Sequence, residues 1–322
     1  MESSNVAPGF KDPLNLFASL FMTLTGVFGV VCNALIVYIF MHTPSERTSF
    51  NVICVSRAIG NSVILILAFL ATFVPITVLG DSPFSPLYET IVIAISTTIY
   101  SGLQSTGILI ALNRFCAVFF PISYSKLFSF KTTTAFVLLL FSYRAIKIMF
   151  ELFYFVPLGC FMVFSSFDLT WNPNFDPQCG EDTTSNINMS AVYLVVMGSM
   201  NVATFSRIYF FYKSTKLENL ETKQKMKKNR VLFLQTMVQD VITLIDMVFT
   251  YQLSMLSSER AWSFFCGTVI WMCVHSFDGL IMIMFNERLT FIKKAFLSSP
   301  APPSRITLPP SKLFTSVLQT SR

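Results

Sequence analysis

The sequence predicts an all-α membrane protein, a bundle of seven transmembrane helices with its amino terminus outside. Three observations predict it. The chain of 322 residues is 53% hydrophobic and only 12% charged, against about 25% charged in a soluble globular protein. Seven apolar stretches are each long enough to cross roughly 30 Å of hydrocarbon, which takes about 20 helical residues. Lys and Arg crowd the linkers on one side of those stretches and nearly vanish from the other. The net charge of +6 therefore reads as an orientation signal. It builds no nucleic-acid face, so nucleic acid is excluded as a partner.

The elements follow in order. Residues 1–13 form a short, polar extracellular amino terminus, and the apolar stretch after them is too long for a cleavable signal peptide. The seven stretches are Leu14–Phe40, Asn51–Leu79, Glu89–Val118, Thr134–Leu158, Ser190–Tyr212, Arg230–Leu256 and Trp262–Phe285. The fourth has the weakest signal, because Arg144 and Lys147 sit within it. No internal repeat and no paired Gly/Pro-broken helices of the transporter kind are present. One side collects Arg47, Lys126, Lys131, Lys213, Lys216, Lys223, Lys225, Lys227, Lys228 and Arg230; the other has Lys11 and Arg260. Asn188-Met189-Ser190 is a glycosylation sequon on the outer side. After the seventh stretch, Leu289, Ile292 and Phe296 share one face of an amphipathic helix that would lie on the inner leaflet. It completes a membrane domain over residues 14–296. Residues 297–322, rich in Ser, Thr and Pro, form a disordered cytoplasmic tail.

Several stretches carry more than hydropathy. The first contains Gly29 and Asn33. The second opens Asn51-Val-Ile-Cys-Val-Ser-Arg-Ala-Ile-Gly-Asn61. The third ends Leu112-Asn113-Arg114-Phe115 and runs on to Pro121. The seventh reads His275-Ser-Phe-Asp278-Gly279-Leu-Ile-Met282, then Phe285-Asn286-Glu287. Together these resemble the layout of rhodopsin-like seven-transmembrane G-protein-coupled receptors over nearly the whole chain. Leu112–Phe120 with Pro121 and Tyr124, His275–Asn286, and the outer loop with Cys160, Trp171 and Cys179 are similar to nematode serpentine receptor class X chemoreceptors.

The resemblance implies a chemosensory receptor that binds a small molecule from outside and activates a heterotrimeric G protein. It implies the plasma membrane of the cell, with sensory-neuron cilia as one such place, and no cofactor. Asn113, Arg114, Phe115, Lys227, Lys228 and Arg230 would meet the G protein. The alternative for Arg114 is a snorkelling anchor, and for the lysines an attraction to anionic lipid. By analogy the ligand pocket lies between the outer halves of spans three, five, six and seven, where Ser96, Thr97, Tyr100, Tyr193, Asp246 and Tyr251 are candidates. Asn33, Asn61, His275 and Asp278 fit an interior polar network coupling spans two, three and seven.

Departures from the receptor pattern matter. The usual acid before the arginine is Asn113, so the usual charged resting lock cannot form. The usual aspartate of span two is Asn61, and Gly279 stands where a proline is usual. Glu89 stands where the family's span-three cysteine belongs, so the usual bridge to the outer loop is impossible. Cys160 and Cys179 flank that loop on the oxidising side and are expected to pair with each other, the alternative being two free thiols. Intramembrane charges need partners. Lys147 and Glu151 can pair along one helix, while Arg144 needs a second acid or water. An Arg144–Asp240 bridge is geometrically conceivable, although spans four and six are not usual neighbours.

A ligand-gated channel or transporter is the competing reading, but it would need a polar pore or broken helices. An enzyme would need a His, Asp and Cys cluster near one membrane face. The 2 histidines, His42 and His275, lie far apart, and no spacing suggests a metal.

Overall fold

The computed structural model describes residues 9–44, 47–173, 179, 183–214 and 220–285, without the side chains of 173, 183–190, 211–214, 220–230, 232 and 251. The protein is almost wholly helical. Helix starts are written into the loops: a Ser, Thr or Asp side chain caps free backbone N–H groups, and proline often follows at the first helical position. Asp12 caps α1 (Pro13–His42), Thr48 caps α2 (Ser49–Ile64), and Ser85 and Ser129 cap the helices that start at Pro86 and Phe130. A π-helical segment, Leu65–Phe73, carries α2 into α3 (Val74–Leu79), which stops at Gly80 with φ 81°. Only glycine adopts that left-handed backbone without strain.

The chain continues as α4 (Pro86–Phe119), α5 (Pro121–Leu127) and α6 (Phe130–Phe155). A two-stranded antiparallel hairpin follows, β1 (Met162–Ser165) and β2 (Thr170–Pro173), with Phe164 opposite Trp171. Then come α7 (Thr183–Ser214) and α8 (Leu220–Val248). The last tract is α9 (Arg260–Phe264), a π segment and α10 (Ile270–Phe285).

Each of the seven apolar stretches thus falls within a long helical tract. Among the described residues, 5 tracts are long and apolar enough to cross a membrane: Pro13–His42, Ser49–Leu79, Pro86–Phe119, Ala191–Phe210 and Arg260–Phe285. The tracts holding the fourth and sixth stretches, α6 and α8, are as long but more charged. Helix α6 carries Arg144, Lys147 and Glu151; α8 carries a lysine-rich first half, Asp240 and Asp246. Residues 286–296, expected as an amphipathic helix, and the tail 297–322 lie outside the described residues.

The outside of the bundle is apolar. On α6, Leu139 is 66% and Phe153 73% exposed, a surface that hydrocarbon would cover at little cost. The inside divides into two layers. Toward the hairpin, Phe69, Phe73, Trp271 and Met272 form the apolar core, and Phe164 of β1 stacks on Phe73 at 4.2 Å. Below it, α1 and α10 meet closely. A Cβ on Gly279 would lie 2.8 Å from the buried amide of Asn33, and one on Gly29 would lie 2.4 Å from Ser276 Oγ. Gly279 therefore stands where a proline is usual because Asn33 occupies the space beside it.

The hairpin is tied to α4 without a sulfur bridge. Glu89, 2% exposed, accepts hydrogen bonds from Phe164 N at 2.7 Å and Ser82 Oγ at 2.6 Å. Thr90 Oγ1 accepts from Met162 N at 3.0 Å. The residue standing where the cysteine belongs thus fastens the same loop by hydrogen bonds. Glu89→Ala is expected to leave the Phe164 N–H unsatisfied and lower stability by about 1–3 kcal/mol. Glu89→Gln, which keeps an acceptor, should cost clearly less, and equal melting temperatures of the two purified variants would contradict the assignment.

A second clasp closes the same face. Arg260 donates to Asp12 Oδ2 at 2.9 Å, to Asn15 Oδ1 at 3.0 Å and to the Phe167 carbonyl at 2.6 Å. The Arg260 hydrogen bond, then the backbone N–H groups of Asn15 and Leu14, outweigh burial and hold the Asp12 carboxyl below its ordinary range. A carboxyl lowered by folding contributes stability above its unfolded pKa and loses it as pH falls through the folded value. The clasp should therefore be insensitive from pH 7 down to about 4, the ordinary carboxylate range. Its contribution fades below that. Melting curves of wild type and Asp12→Asn should differ near neutrality and converge in acid; a constant difference would refute the clasp.

Candidate functional site

Two polar centres stand out among the described residues of the bundle. The first is at the end of α4 near Pro121. Arg114 is 9% exposed, and its Nη1 donates to Thr236 Oγ1 of α8 at 2.5 Å. Its guanidinium also lies 5.1 Å above the Phe50 ring of α2. A hydrogen bond from a cation is stronger than a neutral one, yet this acceptor carries no charge. One bond of the strap between α4 and α8 is therefore a hydrogen bond from a cation to a neutral hydroxyl.

Asn113 turns the other way. Its Nδ2 donates to Ser49 Oγ at 3.4 Å and its Oδ1 accepts from Tyr124 at 3.4 Å, while the Ser49 and Tyr124 hydroxyls lie 3.2 Å apart. Asn113 thus ties α4 to α2 and α5, which a carboxylate would do at the cost of a buried charge. Phe115 stacks on Phe119 at 4.4 Å. Lys227, Lys228 and Arg230 belong to α8, one to three turns before Thr236; their side chains lie outside the described residues.

The second centre is at mid-height around Asp278 of α10. Arg57 of α2 reaches it with both Nε, 3.1 Å to Oδ2, and Nη2, 3.0 Å to Oδ1. Asn61 Nδ2 donates to Oδ2 and Gln239 Nε2 of α8 to Oδ1, each at 2.7 Å. The remaining Arg57 nitrogen, Nη1, donates to the Leu103 carbonyl at 3.0 Å and to Thr106 Oγ1 at 3.4 Å, both on α4. His275 Nδ1 lies 2.8 Å from Asn61 Oδ1. Because the Asn61 amide nitrogen already donates to Asp278, its oxygen is the acceptor. His275 Nδ1 then carries the proton and Nε2 is a bare acceptor. Asn33 Nδ2 donates to the His275 carbonyl at 3.1 Å and to the Gly29 carbonyl at 2.8 Å.

One connected network therefore joins α1, α2, α4, α8 and α10. The structure brings together Asn33, Asn61, His275 and Asp278. Sequence reasoning missed Arg57 and Gln239. The signal for Arg57 was available: a charge two turns into an apolar helix needs a partner.

The pocket candidates separate. Tyr100 and Tyr193 line a cavity at mid-bundle, together with Gln104, Asp240, Met247 and His275. Ser96 and Thr97 hydroxyls bond back to their own helix, at Val92 and Ala94, as serine and threonine often do within helices. Asp246, 2% exposed, accepts from the Tyr100 hydroxyl and from Thr250 at 3.5 Å, and is not among the residues lining the cavity. Tyr251 and Asn188 sit in helical backbone, with side chains outside the described residues.

The intramembrane charges also find partners. Arg144 donates to Tyr193 OH at 2.6 Å and to Ser105 Oγ at 3.3 Å, and Asp240 accepts from Asn201 at 2.5 Å. The conceivable Arg144–Asp240 bridge does not form, because α7 supplies a nearer partner to each. Lys147 and Glu151 pair along α6 at 3.3 Å. Cys160 and Cys179 are joined by a disulfide, with Cα atoms 5.4 Å apart. Among the described residues no group of three His, Cys, Asp or Glu is placed to hold a metal ion.

Among the described residues, a polar network thus lies beside the cavity and a second polar centre straps α4 to α8. The chain is similar to "Serpentine receptor class X 45" of Caenorhabditis elegans, at 24% identity over 302 residues, covering 85% of this chain and 80% of that protein. The sequence profile described as "Serpentine type 7TM GPCR chemoreceptor Srx" matches residues 23–286. The chain is a multi-pass membrane protein and belongs to the Srx family of serpentine chemoreceptors.

Proposed function

We propose that the protein is a plasma-membrane chemoreceptor that binds a small molecule within the bundle and activates a heterotrimeric G protein at its inner face. It crosses the membrane seven times, with residues 1–13 outside and residues 297–322 inside. The receptor domain is 14–296, closed by an amphipathic helix on the inner leaflet. Charged linkers support this orientation, since Lys and Arg gather where α4 ends and α8 begins.

The observation that carries the reading is the Arg114–Thr236 strap. It joins the third and sixth helical tracts through a group that can be released when α8 moves. A ligand that favours the released arrangement shifts the population toward it, by as much as its affinity differs between the two. The released Arg114 would then meet the G protein, with Asn113 and Phe115 beside it and Lys227, Lys228 and Arg230 on α8.

The test uses cells expressing wild type beside Arg114→Ala, exposed to a broad panel of volatile and water-soluble chemicals. G-protein dissociation and membrane current are recorded together. Wild type should respond to at least one chemical, and Arg114→Ala should reach the surface but stay silent. A normal G-protein response in the variant would overturn the assignment. Current that survives G-protein blockade would mark a channel instead.

A further inference from the structure

The mid-bundle cavity has a volume of about 30 Å³. Leu103, Met197, Met247 and Val274 make its apolar wall, and Gln104 and His275 stand among its polar lining. His275 is 1% exposed, and its Nε2, the bare acceptor, meets no partner. Gln104 Nε2, a buried donor, meets none either. Buried polar atoms in folded proteins are almost always paired. Two orphans of opposite character beside one cavity mark a place where a group that both donates and accepts fits.

We propose that this cavity takes a small neutral molecule with a hydroxyl group on a short apolar chain. The proposal deepens the receptor reading above and rests on it for its consequence. A hydroxyl both donates and accepts, so a single such group answers a bare acceptor and a bare donor, and it is the smallest organic group that does so without charge. A ketone only accepts and leaves His275 Nε2 unmet. A carboxylate only accepts, and it would face the Asp240 carboxylate in the lining. An alkylammonium only donates and leaves Gln104 Nε2 unmet. The neighbouring Arg57 and Asp278 already neutralise each other, so that pair calls for no charged group.

Size points the same way. One water-sized group takes roughly 10–15 Å³ in this measure, so the cavity holds a hydroxyl and one or two methylene groups. Met197 and Met247 are the adaptable part of the wall, because an unbranched thioether repacks readily. The third carbon of a propanol enters at that end as the thioethers give way.

The experiment is binding of 3-fluoro-1-propanol to the purified full-length protein in lipid nanodiscs, followed by fluorine NMR line broadening. Broadening should saturate in wild type and be reversed by excess 1-propanol. Propionate should not compete, and acetone and propylammonium should compete at least tenfold less well. Gln104→Met keeps the side chain's length and removes the orphan donor. It should weaken binding at least tenfold while raising the melting temperature of the ligand-free protein, a pair of effects that mere damage would not produce. Gly107→Ala is a second variant, since a Cβ there lies 3.0 Å from Met197 Sδ and narrows the apolar end; it too should weaken binding. Equal broadening in empty nanodiscs, or unchanged affinity in both variants, would overturn the proposal. Because no G protein is present, the two readings fail separately. Propanol binding without any G-protein response in cells would sink the receptor reading alone. A G-protein response to other chemicals without propanol binding would sink this one alone.

Discussion

Arg57→Ala is expected to be nearly absent from the cell surface. Arg57 and Asp278 form a buried bidentate pair, with side chains 10% and 5% exposed. Removing one member of such a pair leaves the other charged, desolvated and unpaired, which costs about 3–5 kcal/mol. A folded domain has a margin of only about 5–15 kcal/mol. The Leu103 carbonyl and Thr106 hydroxyl would lose their donor as well.

The rescue is more telling than the loss. Arg57→Leu combined with Asp278→Asn removes both charges, keeps an amide oxygen for the Asn61 donor and offers an N–H to Gln239 Oε1 once that amide turns over. The double variant should recover most of the surface expression that Arg57→Leu loses. Surface labelling and melting of the detergent-solubilised protein measure both quantities. A double variant no better than Arg57→Leu would show that the pair is not the energetic centre of the network.

Thr236→Val should raise basal signalling. Valine keeps the shape of threonine and removes the acceptor that straps Arg114 to α8. A hydrogen bond to a charged group is worth about 1.5–3 kcal/mol, and about 1.4 kcal/mol is tenfold in an equilibrium constant. If the strap exists only in the resting arrangement, its loss shifts the balance toward the active one by roughly tenfold or more. Basal G-protein dissociation per receptor at the surface reads the effect directly. Asn113 gives no compensating lock, because its side chain faces Ser49 and Tyr124.

Much of the fold is legible in the sequence, because helix length and hydropathy are local properties. Each apolar stretch lies in a helical tract, and in the two with the poorest apolar signal, α6 and α8, Arg144, Lys147, Glu151, Asp240 and Asp246 find partners within the protein or along one helix. Legibility ends where partners are distant in sequence. Thr236 lies 122 residues from Arg114, and no spacing distinguishes it from other hydroxyls in α8. Ser96 and Thr97 illustrate the converse: a hydroxyl on the right turn of the right helix can still bond only to its own backbone. Glu89 is visible in the sequence as a missing cysteine, but its role as the hairpin's anchor emerges only when Phe164 is brought to it. Arg57 was readable as a residue in need of an acid, since a guanidinium among apolar residues of α2 demands one, but the sequence does not choose between Asp240 and Asp278.

The central claim is that Arg114 and Thr236 form a releasable switch. The direct measurement is G-protein dissociation in cells expressing wild type, Thr236→Val and Arg114→Ala at matched surface levels, without and with an active chemical. The two ends of one hydrogen bond should behave oppositely: Thr236→Val active without ligand, Arg114→Ala silent with it. Equal behaviour of the two variants, both silent or both active, would contradict it.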